Sequence, residues 1–307
     1  MPVLRALYRN RWVRYGLTVV LLALVVSRVN PQHLLTAMAT VNPVDFVLAM
    51  ALTVPFLYLK ALRWHAMLHA AGVEASFGEA ALSLIGGMGL ALITPARLGE
   101  LARAAYLRDR QKWKIGGLVM LDKGFDVLVL SGLSIAGATI LLGKIAGLAF
   151  LLVTILGLAF VYNPDPVGRV LLRLRLSMGR RRIAEVVASL DSLGPTSSST
   201  FLGITVLAFA VVLLQFAVIL LSWRAWSPEI VFFTFPLVIL TNILPVSIGG
   251  LGIREGAAAL LLGHYGVPPA DAALAAFLMF VVNTGLPGLV GAVLLPAISP
   301  QVATEKP

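Results

Sequence analysis

The chain has 307 residues, of which 59% are hydrophobic and only 12% charged, and this balance excludes a soluble globular protein. Charged residues are too sparse for a separate aqueous catalytic domain, so we expect a single all-α, polytopic membrane domain over residues 1–307. The absence of cysteine excludes disulfides and thiolate metal sites. The net charge of +10 lies beside apolar runs, where membrane topology and anionic lipid explain it better than nucleic acid does.

The first apolar run, about 15–30, follows four arginines and superficially resembles a signal peptide. It lacks the small-x-small cleavage motif, and Arg28 lies just before the expected cut. We therefore interpret this run as a retained first transmembrane helix.

Six apolar runs are long enough to cross a bilayer, which takes about 20 mainly apolar residues with flanking Lys or Arg able to snorkel. They are about 15–30, 44–63, 115–143, 145–162, 200–223 and 270–295.

Two shorter apolar runs are interrupted by proline and glycine. The first, 80–94, stops at Pro95, and the second, 230–244, stops at Pro245. Each is followed by an arginine-glutamate element and a short second helix, about 97–108 and 253–264. This pattern predicts two re-entrant helical hairpins, 80–108 and 230–264.

The orientation follows from the basic residues, because short loops rich in Lys and Arg stay cytoplasmic. Of the 24 basic residues, 18 lie in four segments: before residue 15, at 60–63, at 97–114 and at 169–182. All four fall inside if both termini are cytoplasmic and the protein lies in the plasma membrane. The two hairpins then enter from opposite faces, which predicts an inverted repeat with halves at about 44–162 and 200–295.

The segment 165–194 is the only sizeable polar stretch. Its arginines and interspersed apolar residues suit a basic amphipathic helix on the cytoplasmic surface, held by anionic headgroups. An ordinary positive-inside loop remains the alternative.

The first hairpin carries the motif Pro95, Arg97, Gly99, Glu100 and Arg103. The three charged residues are three apart, so on a helix they can form a ladder that only holds the hairpin together. In the functional interpretation, the arginines and the amides at the start of this helix bind an anionic headgroup.

The second hairpin carries Arg254 and Glu255, which are adjacent in sequence and point in different directions on a helix. We therefore expect each to need an outside partner. Asp122 and Asp126, four apart with Lys123 beside them, are the candidate counter-charges for Arg254 or Arg97. A swap of these partners would accompany the change between inward-open and outward-open states, and a static packing network is the alternative.

Further polar and glycine residues of the second hairpin are candidates to line the same cavity: Asn242, Ser247, Gly249, Gly250 and Gly252. Asn283 is a further candidate, although helix–helix hydrogen bonding is the more common role of such residues.

At the end of the second span, Lys60 and Arg63 are most simply snorkelling anchors. Arg63 reaching a headgroup is the alternative. No active site is expected, because His65 and His69 have zincin spacing without the general base. Neither a cofactor nor a metal ion is expected.

Two stretches resemble signatures of a known family. Leu92–Arg103 and Asn242–Gly256 closely resemble the two motifs of the lysylphosphatidylglycerol synthase transmembrane-domain family, also called flippase-like. Arg63 and the Asp122–Asp126 stretch fall where that family has its Arg-Trp and Glu-Arg-x-x-Asp elements. Lys123 departs from the expected arginine, which keeps the charge and loses the bidentate geometry.

The resemblance implies a lipid flippase for aminoacyl-phospholipids, polyprenyl-phosphate-linked sugars or similar lipids. It also implies that the synthase activity of fused members is absent, since about ten residues follow the last predicted span. Membrane lipids are the expected partners; a homo-oligomer or a partner lipid-synthesising enzyme stays open. The alternative functions are a permease for a small soluble anion and a non-transporting scaffold for a lipid-modifying enzyme or glycosyltransferase.

Overall fold

The structure, a computed structural model, describes residues 39–92, 98–107, 111–173, 180–243 and 252–294. Within these ranges all regular structure is helical, which confirms the predicted all-α class. The α-helices are α1 (Pro43–Ala51), α2 (Thr53–Ala70), α3 (Phe77–Ala91), α4 (Lys112–Leu141), α5 (Lys144–Tyr162), α6 (Asp165–Arg173), α7 (Arg180–Val187), α8 (Pro195–Leu221), α9 (Phe235–Leu240), α10 (Ile253–Gly263), α11 (Pro269–Phe280) and α12 (Leu286–Leu294). Short 3₁₀ helices cover Leu98–Ala105, Ala188–Ser192 and Thr241–Ile243, and π-helical turns cover Glu229–Thr234 and Val281–Gly285.

Five helical stretches of the described chain are long and apolar enough to cross a membrane. They are α4, α5, α8, the pair α1–α2 (Pro43–Ala70) and the pair α11–α12 (Pro269–Leu294). The 30 residues of α4 extend about 45 Å at 1.5 Å per residue, more than the hydrocarbon thickness of about 30 Å. The protein is thus a multi-pass membrane protein, as predicted; the sixth predicted span, 15–30, lies outside the described residues.

Two apolar helical stretches are too short to cross. The 15 residues of α3 extend about 22 Å, and Glu229–Leu240 is shorter still. The returning segment of the first hairpin, expected as a short helix at about 97–108, is a 3₁₀ helix over Leu98–Ala105. The hairpin tips at 93–97 and 244–251 lie outside the described residues, so the re-entrant path and the inverted repeat stay predictions.

The first arm of each predicted hairpin packs against a long helix of the other half. A Cβ added at Gly291 of α12 would meet the carbonyl oxygen of Ile85 in α3, and one at Gly89 would meet the Ala292 nitrogen at 2.8 Å. Reciprocally, a Cβ at Gly137 of α4 would meet the Phe233 carbonyl oxygen. Small residues let helix backbones approach closely inside a membrane, so glycine fixes both contacts.

The polar segment forms α6 and α7; α7 lies against α4, and α6 packs on α7. Arg182 lies over the ring of Trp113 at 5.3 Å, and Ile183 is buried. This segment is therefore helical and packed where it is described. Its position at the cytoplasmic surface stays a prediction.

Candidate functional site

A buried ion cluster joins α2, α4 and the 3₁₀ helix Leu98–Ala105. Asp122 of α4 is fully buried, and its Oδ1 accepts from Arg63 Nε and Nη2 at 2.9 and 2.6 Å. Its Oδ2 accepts from Arg103 Nη1 at 2.9 Å. Both guanidinium groups are also buried. Charges removed from water need this degree of compensation, so the cluster fixes three elements relative to one another.

Local helix geometry places these charges. In a 3₁₀ helix, residues three apart eclipse one another, and this brings Arg103 Nη2 to 2.5 Å from Glu100 Oε2. Gly87 of α3 makes room for the arginine, since a Cβ there would lie 2.7 Å from Arg103 Cγ. The guanidinium also lies 5.3 Å from the ring of Trp64, a favourable cation–π contact.

Further ion pairs extend the cluster. Lys60 Nζ lies 2.6 Å from Asp126 Oδ2, and Lys123 Nζ lies 2.5 Å from Glu100 Oε2. Together the seven residues form what we call the charge network: Lys60, Arg63, Glu100, Arg103, Asp122, Lys123 and Asp126. Its four cations and three carboxylates give a net charge of +1.

The expectation that Lys60 and Arg63 snorkel is wrong. Arg63 is fully buried, and its Nη1 donates to Thr205 Oγ1 of α8 at 2.6 Å. Burial is possible because carboxylates of α4 pair with the cations of α2, as in Arg63–Asp122 and Lys60–Asp126.

Arg254 belongs to a separate polar group at the start of α10. Its Nη2 lies 3.2 Å from Glu255 Oε1, and its Nη1 donates to Asn242 Oδ1 at 3.4 Å. The expectation that Arg254 and Glu255 cannot neutralise each other is therefore wrong. Glu255 turns back to accept from the Gly252 backbone N–H at 2.5 Å, and the long arginine side chain reaches it there.

The proposed role of Asp122 and Asp126 as counter-charges for Arg254 is also corrected, while a pairing with Arg97 lies outside the described residues. In the described residues both carboxylates pair with cations of the charge network, and the ion pair of Arg254 is with Glu255. The guanidinium of Arg254 also lies 4.9 Å from the ring of Phe280.

A cavity of about 370 Å³ brings the charge network and the Arg254 group together. Lys60, Arg103 and Lys123 line one part, while Asn242 and Arg254 line another. The remaining lining is mostly apolar and comes from both hydrophobic clusters of the core, including Leu84, Val119, Leu130, Phe209, Val212, Phe235 and Met279. The carboxylates of Glu100 and Asp126 also line it, so the cavity combines four cations and two carboxylates with hydrocarbon-like walls.

Several predicted site residues lie outside the described residues: Pro95, Arg97, Ser247, Gly249 and Gly250. Gly99 is described and lies so close to α3 that a Cβ would meet the Leu90 carbonyl group. Gly252 has a φ of +86°, which favours glycine at the start of α10.

Sequence reasoning missed Thr205 and gave Asn283 only a minor role. Thr205 accepts from Arg63 at 2.6 Å. Asn283 lies in the π-helical turn Val281–Gly285 and lines the cavity, and its Oδ1 is buried without a hydrogen-bond partner among the described residues. A polar residue in an apolar segment was the available signal for both.

The family model of the lysylphosphatidylglycerol synthase TM region matches residues 11–291 of the chain. The chain belongs to this family. The matched range of the lysylphosphatidylglycerol synthase TM region includes the whole charge network and Arg254, and it confirms the resemblance carried by the two hairpin motifs. No curated protein and no solved structure matches the chain. Within the described residues, no group of three or more His, Asp or Glu side chains could hold a metal ion.

Proposed function

We propose that the protein is a flippase that moves an anionic, phosphate-bearing lipid between leaflets by alternating access. The observation that carries the proposal is the cavity of about 370 Å³, in which cations and apolar walls lie together. A lipid needs both environments, since its headgroup carries the anion and its chains are apolar. In this proposal the chain is not an enzyme, and its partners are the lipids of the plasma membrane.

The charge balance favours an anion. Among the described residues of the charge network, four cations face three carboxylates, and an excess of buried positive charge is costly. A phosphate placed beside the network would neutralise this excess. Lys123 is the network cation best placed to meet it, because its side chain is 36% exposed while that of Arg63 is fully buried.

The second half contributes Arg254 to the same cavity. Arginine binds phosphate through two parallel hydrogen bonds, so a headgroup held between Lys123 and Arg254 would contact both predicted halves. Relative movement of the halves would then carry the headgroup from one opening to the other. Alternating access of this kind requires the two hairpins to open in turn.

The apolar lining separates this proposal from its rivals. A permease for a small soluble anion has no use for walls of Leu, Val, Phe and Met, because a hydrated anion gains nothing from them. A non-transporting scaffold has no use for buried cations at a cavity. Aminoacyl-phospholipids and polyprenyl-phosphate-linked sugars share the phosphate, and either class fits the proposal.

Transport can be measured in vesicles that contain the purified protein and a fluorescent phosphatidylglycerol. Dithionite quenches only the outer leaflet, so the rate of quenching beyond one half reports transfer across the bilayer. Arg254→Gln and Lys123→Gln should each lower that rate about tenfold, the equivalent of one charge-assisted hydrogen bond. Lys144→Gln is the matched control, since Lys144 is exposed and lies outside the cavity.

Unchanged transfer in both cavity variants would refute the proposal. If the wild-type protein transferred no fluorescent lipid but took up free phosphate into the vesicles, the result would instead indicate the permease. Wild-type vesicles without any transfer of any anionic lipid would indicate the scaffold.

A further inference from the structure

A second cavity, of about 410 Å³, lies between α4, α5 and the helices of the polar segment. Among the described residues, its lining contains no charged side chain, and its only side chain with a polar group is Ser189. The Ser189 hydroxyl already donates to the Val186 carbonyl oxygen at 2.6 Å. The described part of this cavity therefore offers only an apolar surface, and we call it the apolar cavity.

The apolar cavity adjoins the charged one along α4. Met120 and Val127 line both cavities. They are seven residues apart, which places them on one helix face two turns from each other. Between them, Lys123 lines the charged cavity and Gly124 lines the apolar one.

The two cavities are separated at Gly124 by backbone alone, because glycine has no side chain. This residue is exposed, and a Cβ added to it would have nothing within 4 Å. The flanking Met120 is 59% exposed, and methionine adapts readily to an irregular apolar partner. Among the described residues, none blocks the path over Gly124 of a chain attached to a group beside Lys123.

Resting on the proposed function, we infer that the apolar cavity holds an acyl chain of the same lipid whose phosphate lies beside Lys123. The substrate class is then a chain-bearing anionic phospholipid. The contiguity of a cationic site and an apolar one matches the covalent link between phosphate and chain in such a lipid.

Photocrosslinking tests this assignment. The full chain is placed in vesicles containing phosphatidylglycerol with a diazirine in its acyl chain, or phosphatidylcholine with the same chain at the same mole fraction. After illumination, labelled peptides are mapped by mass spectrometry. We expect phosphatidylglycerol to label the α4 and α5 lining of the apolar cavity about tenfold more than phosphatidylcholine, as one charge-assisted contact would give.

Three variants sharpen the test. Lys123→Gln should remove the preference for phosphatidylglycerol, and Gly124→Leu should lower labelling by blocking the path over α4. Gly116→Leu is the matched control: it lies on the same helix, its added Cβ also has nothing within 4 Å, and it lines neither cavity. Size-exclusion chromatography checks that each variant remains folded.

Equal labelling by both lipids, unaffected by Lys123→Gln, would overturn the inference, because the apolar cavity would then be an ordinary lipid-facing surface. Dithionite measurements on matched vesicles separate this from failure of the proposed function. Transfer without selective labelling would refute the chain site and leave the flippase standing. Selective labelling without transfer would support the chain site and refute the flippase.

Discussion

Asp122→Asn removes one charge from the most enclosed carboxylate of the charge network while keeping its shape. Asp122 is fully buried and accepts from Arg63 at 2.6 Å and from Arg103 at 2.9 Å. The amide of asparagine keeps one acceptor oxygen and turns its NH₂ group toward a guanidinium donor. One of the two arginines therefore loses a carboxylate contact inside the protein.

The magnitude follows from burial. The net charge of the network rises from +1 to +2 at a fully buried position, and breaking a buried ion pair from one side costs about 3–5 kcal/mol. Asp126→Asn is the matched comparison, because its side chain is 16% exposed and lines the cavity. Partial solvent screening should limit that loss to about 1–2 kcal/mol.

The free energy of unfolding can be measured by titrating SDS into mixed lipid–detergent micelles and following helicity by circular dichroism. The double variant Arg63→Gln/Asp122→Asn removes one charge of each sign, so it should be more stable than the sum of the single losses by about 1–3 kcal/mol. An Asp122→Asn loss no larger than that of Asp126→Asn would refute this reasoning. So would strict additivity of the double variant.

The remaining predictions concern the cavity and the helix contacts. Asn283→Leu removes a buried Oδ1 that has no described partner. It should leave the free energy of unfolding unchanged or raise it by about 1–2 kcal/mol, and it should slow lipid transfer. Unimpaired transfer would show that the amide does not contact the lipid. Gly291→Leu should lower the free energy of unfolding by about 2–3 kcal/mol through overpacking against Ile85. The loss is measured by SDS titration and compared with that of Gly263→Leu, whose added Cβ has nothing within 4 Å. Equal losses would contradict the tight contact. Glu100→Gln frees Lys123 from a 2.5 Å ion pair and should tighten binding of phosphatidylglycerol about tenfold. Quantitative native mass spectrometry measures this affinity. Weaker binding would mean that Glu100 positions the lysine.

The spans were predictable because a membrane helix is specified by local composition. The expected run 145–162 differs by one residue from Lys144–Tyr162, and the segment 165–194 was recognisable as polar. Local composition states what environment a helix tolerates. It therefore gave the fold class and most helix positions directly.

Ion partners were not predictable in the same way. Arg63 and Asp122 are 59 residues apart, and nothing in the sequence near either one identifies the other. Arg254 and Glu255 were wrongly separated because ideal helical directions ignore the cap at Gly252, where the backbone N–H draws the carboxylate back. Partner choice depends on tertiary packing and on side-chain reach, and a helical projection contains neither.

The ion pairs suggest how headgroup arrival would act on the first hairpin in the proposed cycle. Glu100 of the 3₁₀ helix pairs with Lys123 of α4, and this contact links the hairpin to α4 alongside the buried Arg103–Asp122 pair. A phosphate that binds Lys123 competes with Glu100 for the same ammonium group. A ligand shifts a conformational equilibrium only by its differential affinity for the two states. In the proposed cycle the two states differ in the Glu100–Lys123 ion pair, which the lipid phosphate replaces. The buried Arg63–Asp122 pair does not line the cavity, so it can hold α2 and α4 together while the hairpin contact is exchanged.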